Sequence, residues 1–553
     1  MSLPAEDWVP GPPQIGPSQP RGWTSGGRFA LVSVVTIVIV AALLAFVLMR
    51  GQPPAPGADR PDGVDVVIAG AAPRTWDPTL AGDAASAATL TQVYEGLTAL
   101  DAESQVQPAL AAQWTVEDGG RRIVFQLRPG ITFSDGSPIT SQDVVTSWLR
   151  LIDPARDAPL SGLLTDIAGA QAYLQGEGSL DSVGLRSEDD RVVVEFRRPA
   201  AYFVAVAASP SLAVLPQASV HGRESPQLPQ DLVVSGAYRP TSQTESTIRL
   251  EANPRYWAGE PPMATIELLT DTAGESAVAL FEAGRLDHTG IGSFDASWIR
   301  YDPELGPQLR QADSFSVSYY GFDTTDAPFD DARVRRAFSQ AVDWDRVVLL
   351  ADPASEPATS LIPEGIPGRG DEDLSPTYDP DAARALLAEA GFAGGRGFPV
   401  VTLGGFGLAY DLAVEYELER ELGVGVQVEE RSFADYVSLL DTDPPDIWSI
   451  TWIADYPAPQ DFLGLLLESG SASNEGRWAD PSFDAALEAA ATTEDPQQQE
   501  RHYAEAQRIV RDQAPVIPVA YDESWSLSRT GLLGAQQSGV GFLRFASLDW
   551  AAD

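Results

Sequence analysis

Apolar and polar positions along the chain change character at two places. Phe29 to Met49 is an unbroken apolar run of 21 residues with no charged side chain, bracketed by Arg28 and Arg50. As a helix it would reach about 30 Å, the thickness of a bilayer's hydrocarbon core. It is longer than the apolar stretch of a secretory signal, usually about 7–15 residues, and no clear A-x-A cleavage site follows it. The run therefore predicts one uncleaved transmembrane helix over 29–49. Residues 1–28 hold many Pro and Gly and no hydrophobic period, which predicts a disordered tail. Residues 50–63 predict a Pro-rich, semi-stiff linker. Arg21 and Arg28 precede the span and Arg50 and Arg60 follow it. Close charges thus nearly balance, and the expected N-inside orientation rests on large following domains being translocated largely regardless of charge.

From residue 64 onward the pattern alternates between strand-like and helix-like segments, as in a mixed α/β protein. Val64 to Ala69 is a short apolar run suited to a buried strand. Trp114 to Leu127 reads as a hairpin turning at Asp118-Gly119-Gly120. Ser141 to Ile152 predicts a helix ended by Asp153-Pro154. Three further helices open with Asp-Pro, at Asp379-Pro380, Asp480-Pro481 and Asp495-Pro496. The Asp caps free backbone N–H groups, and Pro at the first helical position has no N–H to lose. Val516 to Ala520 and Asp446 to Ile453 are strand-like. No repeat of 20–50 residues is present, which excludes a solenoid or propeller.

Composition narrows the chemistry. The chain has 553 residues, a length for several domains rather than one core. It carries 36 basic and 79 acidic residues, a net charge of −43, which disfavours binding to nucleic acid. All the basic residues are Arg, so there is no P-loop lysine or Schiff base. Cys is absent, which excludes disulfides, thiolate metal sites and Cys nucleophiles. His221, His288 and His502 are scattered singly and do not form a metal pattern. The charges of residues 1–63 cancel, so the whole negative excess lies on 64–553.

Catalytic signatures are weak: no G-x-S-x-G, H-E-x-x-H or Walker loop is present. Gly404 to Gly407 lacks dinucleotide spacing and reads as a loop. Asp371-Glu372-Asp373 reads as a solvated acidic loop without a calcium pattern. No catalytic residue, metal site or cofactor is assigned. The informative segment is Asp446 to Leu467. Asp455 follows a strand and sits beside Trp452, Tyr456, Pro457 and Pro459. An acid beside aromatic rings at a strand end suits a cation or an ammonium group. A turn Asp beside a packed Trp would look the same.

Nine stretches in order give a wider resemblance: Tyr94–Leu97, Pro108–Trp114, Val124–Val144, Ser235–Tyr238, Asn253–Trp257, Pro328–Ala337, Leu386–Gly391, Trp452–Pro457, and the C-terminal helix leading into Ala514–Pro518. Together they resemble the family 5 solute-binding proteins of ABC importers, the oligopeptide, dipeptide and nickel-binding group. The resemblance implies an α/β, two-lobed, periplasmic-binding-protein-like fold of class II with an extra subdomain, here preceded by the transmembrane helix. It implies one lobe from 64–94, 215–320 and 523–553, a subdomain at 95–214, and a second lobe at 321–522. A ligand would close the lobes about a hinge, and the closed form would dock on a permease.

By the same resemblance, Asp455 would pair with a peptide's α-ammonium group and Trp452 would line a side-chain pocket. Tyr319 and Tyr320 match positions near the cleft, with core packing as the other reading. The chain departs from the family in having no N-terminal Cys for a lipid anchor, a role left to the 29–49 helix. Ala458 replaces an acid common after the Tyr-Pro pair, and no Arg is assigned to a peptide carboxylate. The expected function is a monomeric, membrane-anchored, extracytoplasmic binding protein that delivers peptides or similar ammonium-bearing solutes to an ABC importer. It is not expected to be an enzyme. The alternative is a non-transport envelope regulator or scaffold on the same fold.

Overall fold

The computed structural model describes residues 60–217, 229–351, 355–408, 410–471, 473–493 and 495–552. The predicted tail (1–28), transmembrane helix (29–49) and residues 50–59 of the linker (50–63) lie outside the described residues. Among the described residues, no helix is long and apolar enough to cross a membrane. Residues Pro56–Asp553 form one unit, built on two large sheets and a smaller one.

The first sheet has seven strands, in spatial order Leu309–Asp313, Glu523–Ser528, His288–Ile291, Val66–Ala69, Thr265–Leu269, Thr247–Ala252 and Tyr238–Gln243. Val66–Ala69 lies in the middle, parallel to both neighbours, which is why its sequence is apolar throughout rather than alternating. The second sheet has six strands: Glu356–Pro357, Val516–Tyr521, Ser316–Phe322, Ile447–Ile453, Val401–Gly405 and Val426–Glu430. The third is a four-stranded antiparallel sheet of Ala111–Glu117, Arg122–Leu127, Arg191–Glu195 and Leu185–Glu188. The hairpin read at Trp114–Leu127 forms two of its strands, with Trp114 opposite Phe125.

Two short crossings join the large sheets. Leu309–Asp313 continues through Ser314 and Phe315 into Ser316–Phe322, and Val516–Tyr521 continues through Asp522 into Glu523–Ser528. The two chain segments pair in both sheets, antiparallel each time. The Ser316 hydroxyl donates to Asp522 Oδ2 at 3.1 Å, tying one crossing to the other. The strand Ser316–Phe322 pairs only within the six-stranded sheet, so the boundary expected at residue 320 falls inside a strand.

Helix starts follow the local chemistry. Asp379, Asp480 and Asp495 each accept backbone N–H groups at the first turns of Pro380–Glu389, Pro481–Thr492 and Pro496–Gln513. Ser141–Leu151 is closed by a capping box of Thr140 and Asp143. Gly404 and Gly405, read as loop, are instead the last residues of the strand Val401–Gly405. The packing requires glycine there: a Cβ on Gly404 would lie 2.4 Å from Pro445, and one on Gly405 2.8 Å from both Asp411 and Ser449.

The subdomain core gathers Phe125, Trp148, Phe203 and their neighbours, and it reaches across to Tyr456 and Ala458. Buried charge fastens the subdomain to the first sheet's side. Arg150 and Arg156 each reach Asp77 at 2.6 Å, and Arg544 meets Glu95 at 3.0 Å with Tyr256 donating to the same carboxylate at 2.5 Å.

Candidate ligand-binding site

The strand Ile447–Ile453 lies beside Ser316–Phe322 in the six-stranded sheet, with Trp452 opposite Val317. Ala454 donates its N–H to Phe315 at 2.8 Å, which binds the strand's end to the first crossing between the sheets. The chain then turns through Asp455 to Ala458 and enters the helix Pro459–Leu467. Pro at the first helical position sets that entry, and Ala458 supplies no side-chain cap.

Asp461, in the first turn, folds back over the strand end. Its Oδ2 accepts the Trp452 indole N–H at 2.8 Å and the Asp455 backbone N–H at 3.3 Å. Asp461 is fully buried, and its Oδ1 has no hydrogen-bond partner among the described residues. Asp455 is partly buried, and among the described residues nothing pairs with its carboxylate. Burial pushes Asp455 up to about 6. Burial, and then the charge of Asp455 beside it, pushes Asp461 well above the usual carboxylate range. A helix N-terminus favours a negative charge by about 0.3–1 kcal/mol, up to about 2 in buried geometries. Burying a carboxylate without a cation costs several kcal/mol, so burial wins at Asp461.

The turn is wedged against the subdomain. Tyr456 stacks on Tyr202 with ring centroids 6.0 Å apart and planes at 10°. The Tyr202 hydroxyl donates to Asp166, which Arg197 and Arg198 each reach at 2.7 Å. Arg198 also pairs with Glu468 at the end of the helix that carries Asp461. A cavity of about 480 Å³ opens beside these groups, lined among others by Arg198, Tyr202, Gln460, Glu468 and Asp484; neither Trp452 nor Asp455 lines it.

Trp452 and Asp455 are therefore neighbours through Asp461, as a shared site requires. Tyr319 and Tyr320 lie elsewhere. Tyr319 shares Trp452's face of the sheet but is enclosed, with its ring edge-on to Trp448 at 5.5 Å. Tyr320 points to the other face, donates to Asp411 Oδ1 at 2.7 Å and packs by Trp344. Both rings are 2% exposed or less, so the core reading describes them and the cleft reading does not. The reason is strand geometry: adjacent residues face opposite sides, and both sides of this sheet are covered. Sequence reasoning missed Asp461 and the Asp166, Arg198 and Tyr202 group. A first-turn acid is ordinary in helices, and the other three are distant in sequence from the turn they meet.

The fold is two large sheets joined by paired crossings, and beside one crossing lies an acid, Asp455, that has no partner among the described residues. The model of the bacterial extracellular solute-binding proteins, family 5 (middle), matches residues 105–474. The chain belongs to that family. Among curated relatives, the probable deoxycholate-binding periplasmic protein YgiS of Escherichia coli is 30% identical, over 81% of this chain and 86% of its own. The oligopeptide-binding protein OppA of Bacillus subtilis is 25% identical, over 86% and 90%. Among solved structures, the murein tripeptide binding protein MppA of Escherichia coli superposes with a TM-score of 0.72 at 24% identity, over 89% of this chain and 99% of that one.

Proposed function

We propose that this chain is the ligand-capturing component of an ABC importer, held at the membrane by residues 29–49 with its large unit outside the cytoplasm. One lobe comprises 64–94, 215–315 and 523–553, the second 316–522, and the subdomain 95–214 travels with the first. The crossings at Ser314–Phe315 and Asp522 act as the hinge. The ligand is a peptide or a similar solute with an ammonium group, which pairs with Asp455 while Trp452 borders its first side chain. The closed form is then read by a permease.

The observation that carries this reading is Asp455 itself. A partly buried carboxylate with no cation near it is costly in the empty protein and is relieved by a cationic ligand. Relatives named for oligopeptides and for a murein peptide support a peptide. A relative named for deoxycholate motivates a second reading, because a steroid carboxylate would be repelled by Asp455 rather than held.

Calorimetry on the full chain separates the two. Asp455→Asn is expected to weaken trialanine binding by about 2–5 kcal/mol, with the circular dichroism spectrum unchanged. Unchanged affinity for trialanine would remove Asp455 from the site. Deoxycholate binding that is preserved or strengthened in the variant, with no peptide binding in either protein, would establish the second reading.

A further inference from the structure

The acid that matters as much as Asp455 is the one the ligand cannot reach. Asp461 is fully buried, yet it touches both residues of the candidate anchor, taking the Trp452 indole N–H at 2.8 Å and the Asp455 backbone N–H at 3.3 Å on a single oxygen. Its other oxygen is enclosed and has no partner among the described residues. We propose that Asp461 is a positioning residue held as a neutral acid, whose carbonyl oxygen fixes the Trp452 ring and the Asp455 backbone so that Asp455 alone carries the site's negative charge. This rests on the ammonium-binding reading of Asp455.

Burial and the neighbouring Asp455 favour a neutral Asp461 and outweigh the N–H donors of Trp452, Asp455 and Tyr456, which favour its charge. On its own helix, Glu468 is taken by Arg198. On the turn, the nearest charged group is Asp455, another acid. Tyr456, on the same turn, faces Asp461 and Asp455, and beyond it lie Tyr202 and Asp166, the latter already paired with Arg197 and Arg198. No cation faces Asp461 from any element packed on it among the described residues, and the raised affinity of this carboxyl for its proton agrees. With a proton on Oδ1, Oδ2 remains a carbonyl-like acceptor for the Trp452 and Asp455 N–H groups. The site then presents one fixed charge, matched to one ammonium group.

The test compares Asp461→Asn, which keeps a neutral acceptor, with Asp461→Leu, which keeps volume and removes it. Trialanine binding is measured by calorimetry on the full chain from roughly pH 6 to 8.5, where the peptide's own amine titration is common to all proteins. The Trp452 indole signal is followed by ¹⁵N NMR without ligand, assigned with Trp452→Phe. Asp461→Asn should bind within about threefold of the parent and run parallel to it with pH. Asp461→Leu should lose about tenfold or more, and only there should the indole signal move. An Asn variant as weak as the Leu variant, or one whose affinity diverges from the parent about tenfold as pH rises, would overturn the proposal. If the parent does not bind trialanine, the peptide reading fails, and the indole signal still decides what Asp461 holds.

Discussion

Asp455 and Asp461 are six positions apart and share one turn, but their surroundings assign them different work. Asp455 meets solvent in part; Asp461 is enclosed and holds the Trp452 indole and the Asp455 backbone. Both are lifted above their ordinary range in the folded protein by burial. A carboxyl whose folded value is raised stabilises the fold fully at pH below its unfolded value, and that contribution is lost as pH rises through the folded value. Removing the Asp461 acid should therefore matter most at neutral and alkaline pH. Asp461→Asn is expected to melt above the parent at pH 7–8, with the gap closing as pH falls toward about 4. Calorimetric melting curves across that range read the effect; a gap that widens on acidification would contradict it.

The strand Ser316–Phe322 shows how an element decides the fate of its residues. All seven of its positions are buried, because cores cover both faces of its sheet. That is why Tyr319 and Tyr320 act as structural rings although they border a crossing between the sheets. Gly321 lies opposite Trp448, and a Cβ there would stand 2.1 Å from the indole's Cζ2. Gly321→Ala is expected to cost about 1–3 kcal/mol by overpacking, measured as a lower urea midpoint. The effect should reach Trp452 as well, since Trp448 and Trp452 lie on one face of one strand. The helices entered through Asp-Pro needed no such tertiary knowledge. Their capping bonds are local, so their starts were legible in the residues alone.

In the whole molecule, two kinds of contact hold the subdomain. Toward the seven-stranded sheet the contacts are buried ion groups, Asp77 with Arg150 and Arg156, and Glu95 with Arg544. Toward the six-stranded sheet they are a stacked Tyr pair and the part-exposed Arg198–Glu468 bridge. Charges desolvated in this way resist separation, whereas a part-exposed bridge gives up little on opening. Asp77→Ala leaves two buried guanidinium groups unpaired and is expected to cost about 3–5 kcal/mol in urea denaturation. Glu468→Ala, which removes this bridge and leaves the Arg198–Asp166 pair intact, should change stability by no more than about 1 kcal/mol, while raising the radius of gyration seen by X-ray scattering before ligand is added. An unchanged radius would mean that this bridge does not hold the lobes. The net charge of −43 adds a general self-repulsion. Raising salt from about 10 to 150 mM should accordingly raise the melting temperature of parent and variants alike.

Local rules sufficed for the element types, the capped helices, the hairpin and the motif Trp452–Pro457, because each depends on residues close in sequence. The ordered motifs were enough to indicate the family. Only the tertiary structure separated Asp455 from Asp461, turned Tyr319 and Tyr320 inward, and brought Tyr202 against Tyr456. Each of these outcomes depends on what covers a face or fills the space around a charge, and that is set by segments up to hundreds of residues away. Burial is a property of the packed chain, so Asp461, whose surroundings change its chemistry, was passed over by a linear reading.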